Sequence, residues 1–259
     1  PAMPPNAASA AFLKFNEDGS LNIMVSGMEI GQGYLTAMAQ VAAEVLTVPV
    51  TKIRVETPDT DRNAYEWQTV GSHVTWGCGN AVQKAALQAR DQIFDLVERA
   101  CSLERDTLYL EDEKVKCRVK PKFSLPLKSF VIAGIQDDKG HFKGGPIMGS
   151  GMFMPEFTSA LSDPETSQGG HPNVHYTVGA AAATVEVDKE TGKMRVLKAV
   201  LAVDAGKAIN PDLVRGQIVG GLVQGLATVL YEDMRFDAKG RLLNPNFTDY
   251  KIPTSLDTP

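Results

Sequence analysis

The chain has 259 residues, with 26 Lys and Arg against 31 Asp and Glu, for a formal net charge of −5. That balance leaves no positive excess to neutralise a phosphate polymer or an anionic membrane surface, which argues against nucleic acid as a partner. A hydrophobic fraction of 43% with 22% charged residues suits a protein that buries a core, and excludes disorder as the main state.

In chain order, Ala11 to Phe15 and Leu21 to Val25 read as strands joined by a turn at Glu17-Asp18-Gly19. A glycine-spaced loop, Ser26 to Gly33, leads into Tyr34–Leu46, where Leu35, Met38, Ala42 and Val45 recur at helical spacing. The helix stops near Pro49, and Ile53 to Glu56 reads as a strand. Residues 57–71 are irregular and polar. A second helix is expected from about Asn80 to Ala100, with Val82, Ala86, Ala89, Ile93 and Leu96 on one face. Residues 105–170 are weakly patterned, with a short helix near Leu127 to Ala133, and the glycines of 142–173 suggest a flexible or cofactor-covering stretch. Thr184 to Val187 and Met194 to Val203 then form a hairpin, and Asn210-Pro211 supply the cap and first-turn proline of a helix to about Tyr231. A turn at Asp237-Ala238-Lys239-Gly240 precedes closing strands in a segment that ends at Tyr250-Lys251-Ile252-Pro253.

Cys78, Cys101 and Cys117 are too few and too widely spaced for a zinc clamp or an iron–sulfur cluster, and their odd number speaks against a disulfide framework. No stretch reaches the ~18 apolar residues of a membrane helix and no basic-then-apolar signal opens the sequence, so no membrane span and a cytoplasmic setting are expected. Pro1 in place of Met, and a polar run at Thr258-Pro259, are what a piece of a longer polypeptide would show.

Two places suit an anionic ligand. In Gly27 to Gly33 glycines allow close backbone approach, the following helix start offers N–H groups with partial positive charge, and Gln32 adds a directional hydrogen bond; a tight turn packing helix on sheet is the alternative. Gly71-Ser72-His73-Val74-Thr75 repeats the arrangement with two hydroxyls, and the pair together suits a pyrophosphate better than a single phosphate. In the 211–231 helix, Gly216, Gly220, Gly221 and Gly225 each cost about 1 kcal/mol relative to Ala, which calls for another backbone or a flat ligand close by, with Gln217 and Gln224 near the same side. His171 and His175 are spaced for a metal, but no third ligand follows, and Cys78 reads as a core thiol.

Taken in order, these segments resemble the molybdenum hydroxylases, the xanthine dehydrogenase and aldehyde oxidoreductase family, in the C-terminal half of the molybdopterin-binding subunit. The stretches that carry the resemblance are Gly27-Met-Glu-Ile-Gly-Gln-Gly33, Gly71-Ser-His-Val-Thr75, and Val203-Asp-Ala-Gly-Lys-Ala-Ile-Asn-Pro211 running into Gly216-Gln-Ile-Val-Gly-Gly221 and Gln224-Gly225. The segments Val178 to Asp188 and Tyr250-Lys-Ile-Pro253 are similar too.

The resemblance implies an α+β fold of two mixed α/β subdomains of the molybdopterin-binding type. The first would be 1–110 and the second 174–259, truncated at its end, with 111–173 an irregular glycine-rich connection. It implies a molybdenum–molybdopterin cofactor, in the cytosine dinucleotide form, whose dithiolene sulfurs rather than side chains hold the metal. Gly31, Gln32, Gly33 and Tyr34 would lie at the metal-proximal end, Gly71, Ser72, His73, Val74 and Thr75 would hold pterin or phosphate, and Gln217 would approach the metal's oxo or pterin side. The implied reaction inserts water-derived oxygen into a C–H bond of an N-heterocycle or aldehyde, with electrons leaving through [2Fe–2S] clusters and FAD on partner domains or subunits. The family's catalytic glutamate falls beyond residue 259, and the preceding half of the subunit is a further partner, so the piece alone is expected to be inactive. Tyr34 stands where some relatives have His, and Val219 where an acidic residue is frequent. A nucleotide-binding module without redox chemistry is the competing expectation.

Overall fold

Alternation along β1 (Ser9–Phe15) and β2 (Leu21–Val25) places Ala11, Leu13, Phe15, Leu21, Ile23 and Val25 on one buried face, as a half-buried sheet requires. In the computed structural model the described residues are 7–257 apart from 57, 133, 157, 160–162, 164, 167, 174 and 175. They fall into two compact units, Pro1–His175 and Tyr176–Pro259.

In the first unit β1 pairs antiparallel with β2, Phe15 opposite Leu21. The chain then forms α1 (Tyr34–Leu46) and returns as β3 (Ile53–Glu56), parallel to β2. α2 (Val74–Cys101) lies against the sheet through Val82, Ala85, Ala86, Ala89, Ile93 and Val97, all buried. α1 contributes Met38, Ala42 and Leu46 to the same core, in the i, i+4 rows that a helix presents to its neighbour.

The stretch expected to be an irregular connection is largely built into this unit. β4 (Leu108–Glu111), β5 (Lys114–Cys117) and β6 (Ser124–Pro126) make a small antiparallel sheet, followed by α3 (Lys128–Ile132) and the short pair β7 (Ile135–Gln136) and β8 (Phe142–Lys143). β9 (Met148–Phe153) completes the main sheet, giving the order β3-β2-β1-β9. Its glycines serve packing. A Cβ on Gly149 would sit 1.9 Å from the Ala85 carbonyl oxygen, and one on Gly151 would sit 2.1 Å from that of Ala81, so α2 crosses the strand at a distance only glycine permits.

α2 begins at Val74, earlier than the expected Asn80. Gly77 and Gly79 lower the helical propensity of that first turn. Tertiary packing overrides them: Gly77 is buried against Ser9, whose Oγ would lie 2.5 Å from an added Cβ, and Cys78 is fully buried.

The second unit starts with the long hairpin of β10 (Val178–Val187) and β11 (Met194–Asp204), with a register irregularity at Thr184/Val185. Its turn is closed by the Asp188 carboxylate, which accepts the N–H groups of Glu190 and Thr191. α4 (Pro211–Leu230) follows, capped as expected by the Asn210 side chain, which accepts from Leu213 N at 3.1 Å. Beyond it, closing strands were expected. The described residues instead form turns with an isolated Phe236–Leu242 bridge, pinned where Asn244 bonds Asp233 O and Arg235 N. By length and composition α4 is long and apolar enough to cross a membrane, contrary to the sequence expectation. Its Gly and Ala residues add no polar side chain, so the stretch passes although Asp212, Arg215, Gln217 and Gln224 interrupt it.

Candidate functional site

In the first unit the first glycine loop meets the segment that leads into the second. The Met28 N–H donates to Thr69 Oγ1 at 2.7 Å, and behind this contact the Ser26 hydroxyl donates to Ala64 O and Asn63 Nδ2 donates to Val25 O at 2.6 Å. These bonds tie the end of β2 to the polar 63–69 segment and place Met28 beside Thr69. The rim carries exposed Met28, Ile30, Gly31, Val70, Gly71, Ser72 and Thr75.

The helix entrances differ in what they leave free. The Glu29 carboxylate occupies the start of α1: Oε1 accepts from Gly31 N at 2.9 Å and Gly33 N at 3.0 Å, and Oε2 accepts from Leu35 N at 3.2 Å. Partial burial works against the charge, but these bonds and the N–H of Tyr34 outweigh it and hold the carboxyl below its usual range. The expectation of free amides for an external anion there is corrected, because the chain supplies its own anion. Gln32 is engaged as well. Its Nε2 donates to Met28 O at 2.8 Å and its Oε1 accepts from Ile30 N at 2.7 Å, so the side chain closes its own loop.

The start of α2 is different. Gly71 and Ser72 both take left-handed conformations, φ 62° and 59°, and His73 at the N-cap makes no side-chain capping bond. The positive end of a long helix dipole therefore opens on exposed Gly71, Ser72 and Thr75, the chemistry an anion with several oxygens needs.

Two predicted site residues point inward. Tyr34 is 1% exposed; its ring lies under Gly27, where an added Cβ would come within 2.6 Å of Cζ. Burial, then the neighbouring Cys78 and Glu66, push its phenol well above the usual range. His73 is also 1% exposed, with Nδ1 2.6 Å from Val70 O and Nε2 3.1 Å from Glu66 Oε1. The Cys78 thiol donates to Glu66 Oε2 at 2.7 Å, and burial followed by the Glu66 charge pushes the thiol up to about 12. Sequence reasoning missed Glu66. Its only signal there is an acid set between Tyr65 and Trp67.

Gln217 belongs to the second unit, on the exposed side of α4; Cβ atoms added at Gly216, Gly220, Gly221 or Gly225 would meet nothing within 4 Å. His171 bonds Ser159 through its main chain, and His175 lies outside the described residues. Among the described residues no group of three or more His, Cys, Asp or Glu could hold a metal ion. An open concavity of about 710 Å³ lined by Lys14, Asn16, Glu17, Asp18, Ser20 and Pro146 lies at the far end of β2 from the rim.

Residues 2–259 match the family model described as a molybdopterin cofactor-binding domain. The large subunit of nicotine 6-hydroxylase from Paenarthrobacter nicotinovorans is 32% identical over 94% of this chain and 28% of its own length. A putative xanthine dehydrogenase molybdenum-binding subunit of Escherichia coli (strain K12) is 30% identical over 97% of this chain and 31% of its own. Among solved structures, quinoline 2-oxidoreductase from Pseudomonas putida 86 matches with a TM-score of 0.79 at 26% identity, covering 97% of this chain and 30% of that one. The Cu,Mo-CO dehydrogenase has the same fold at a TM-score of 0.80 and 22% identity, over 97% of this chain and 29% of that one. The chain thus spans less than a third of these relatives' lengths, and it belongs to the molybdopterin cofactor-binding domain family of the molybdenum hydroxylases.

Proposed function

We propose that this chain is the molybdopterin-binding portion of a larger subunit in a molybdenum-dependent hydroxylase or dehydrogenase. That enzyme would insert water-derived oxygen into a C–H bond of an N-heterocycle or aldehyde. The observation that carries the reading is the Met28–Thr69 contact, which brings the first glycine loop to the segment entering the start of α2, where His73 makes no side-chain cap, within a chain whose residues 2–259 match the family. Exposed Gly71, Ser72 and Thr75 would hold the phosphate or pterin oxygens through main-chain N–H groups and hydroxyls, with Gly31 allowing close approach from the other loop. Gln32, Gly33 and Tyr34 would act from behind: Gln32 fixes the loop's shape, and Tyr34 supports Gly27 from below. When bound, the group supplies two-electron redox chemistry at molybdenum.

A dinucleotide form of the pterin, with cytosine, suits the open helix end because a pyrophosphate spreads its oxygens over several donors. [2Fe–2S] clusters and FAD would sit on partner domains or subunits, and the preceding half of the subunit would wall the pocket. A cytoplasmic location and inactivity of this piece alone belong to the same reading. The named relatives support the N-heterocycle class, since nicotine and xanthine are both N-heterocycles.

The test is metal and nucleotide analysis of the intact subunit, produced together with its genomic neighbours. Stoichiometric molybdenum and acid-released cytidine nucleotide are expected. Ser72→Asp, which keeps a residue tolerant of the left-handed conformation but sets a like charge against the anion, is expected to cut loading by roughly tenfold or more. Saturable ATP or NAD binding with no molybdenum would instead establish a plain nucleotide-binding module.

A further inference from the structure

The least expected group in the first unit is the buried Glu66 carboxylate. Its side chain is 3% exposed, on a segment bridged to the start of β1 by Ala10 N to Tyr65 O and Trp67 N to Ala8 O. One oxygen faces His73 Nε2 and the other receives the Cys78 thiol. A carboxylate taken out of water this far needs a compensating charge. The hydrogen-bond inventory supplies it: Val70 O can only accept, so His73 Nδ1 donates to it, and Nε2 facing a carboxylate must carry a proton as well. His73 is then an imidazolium.

The imidazolium grips the carbonyl of Val70, directly before Gly71 and Ser72. The left-handed Ser72, at φ 59°, is a conformation that persists only where its surroundings impose it. The clamp runs from Glu66 through His73 to Val70 O, and it ends at the loop that leads into the start of α2.

We propose that Glu66 is a positioning residue for that loop, acting through His73 to hold Gly71 and Ser72 in the shape that receives the cofactor's anionic part. The inference rests on the functional reading above and adds to it the element that sets the site's geometry. The groups facing His73 are Glu66 from the 65–67 segment, Cys78 from α2, Tyr34 from α1 across Cys78, and the neutral Trp67 and Ser9. Burial keeps the Cys78 thiol and the Tyr34 phenol protonated through neutral pH, so His73 alone releases the clamp as pH rises. Loss of its Nε2 proton sets a lone pair against the carboxylate.

The experiment compares the intact enzyme complex with its Glu66→Gln and Glu66→Ala forms, measuring pterin fluorescence and molybdenum left after dialysis across pH. Glu66→Gln keeps the shape and both contacts: its amide donates to a neutral His73 and its oxygen accepts the thiol. The wild type is expected to lose cofactor faster as pH rises through the His73 titration, the Gln form to show no such step, and the Ala form to lose cofactor about tenfold faster at neutral pH. A Gln form that retains the wild-type pH step, or an Ala form that assembles and holds cofactor as the wild type does, overturns the proposal. If the Ala form fails to assemble, the Gln comparison decides. A wild-type complex without any pterin overturns the functional reading, and this one with it.

Discussion

At the scale of single residues, the start of α1 shows how a motif can be read correctly in position and wrongly in use. The glycines and the helix entrance are where the sequence suggests, yet the negative charge that the amides attract is Glu29 of the same loop. Replacing Glu29 by Ala should cost about 1 kcal/mol, the range for lost N-terminal caps, read by urea unfolding. The pH dependence has a definite sign. Because the folded-state carboxyl lies below its ordinary value, its stabilisation is present above the unfolded pKa and is lost as pH falls through the folded one. Glu29→Gln should flatten the acid limb of the stability profile; an unchanged limb would mean the carboxylate is not the cap. His73 runs the other way. Its hydrogen bond to Glu66 raises its pKa against the opposing effect of burial, so its contribution is full below the unfolded pKa and is lost as pH rises through the folded value. Unfolding midpoints from pH 5 to 9 should therefore fall on the alkaline side in the wild type and stay level there in Glu66→Gln.

Among elements, periodicity works where one face is buried and fails where packing rests on absent side chains. α1 has the expected bounds, Tyr34–Leu46, because an apolar row meets the core, and α4 has its Asn210 cap and Pro211 start. β9 and the first turn of α2 are legible only in three dimensions. Glycine reads as a loop signal in a sequence, but Gly149 and Gly151 are strand residues that let a helix backbone come close, and Gly77 does the same for Ser9. β10 is longer than expected since Gly179 to Ala183 lack the branched side chains by which a strand is recognised. Two substitutions separate the two uses of glycine. Gly149→Ala would place a methyl group 1.9 Å from a carbonyl oxygen and should destabilise the first unit by about 2 kcal/mol or more. Gly220→Ala, with nothing within 4 Å, should stabilise α4 by about 0.5–1 kcal/mol. Thermal unfolding of the two variants should move in opposite directions, and a neutral Gly149→Ala would mean that α2 does not cross β9 as closely as described.

For the whole molecule, the second unit poses a problem of missing cover. β10 is exposed along its full length, Ala227 is the one buried residue of α4 among those described, and Val178, Val200, Leu197 and Val229 stand about half or more exposed. A two-stranded ribbon is marginal unless a helix packs on it, α4 buries only Ala227, and four glycines in such a helix add roughly 4 kcal/mol of forfeited propensity. Relatives more than three times as long suggest a remedy: in the proposed subunit, further polypeptide and the cofactor would lie against α4, where the glycines leave room. A bilayer is a poorer cover, because Asp212, Arg215, Gln217 and Gln224 would each need a partner inside it. Gly220→Leu distinguishes these situations. In the 259-residue chain it meets only open space and should raise helicity in circular dichroism. In the intact subunit the same side chain would fill the gap left for the neighbour, so the yield of pterin-loaded complex on size exclusion should drop by about tenfold or more, as overpacking of a close contact demands. If the intact complex accepts leucine at 220 and again at 221 with full loading, the glycine side of α4 is not a contact face. If the chain instead floats with lipid vesicles, and more strongly as leucine is added, the bilayer is its cover after all.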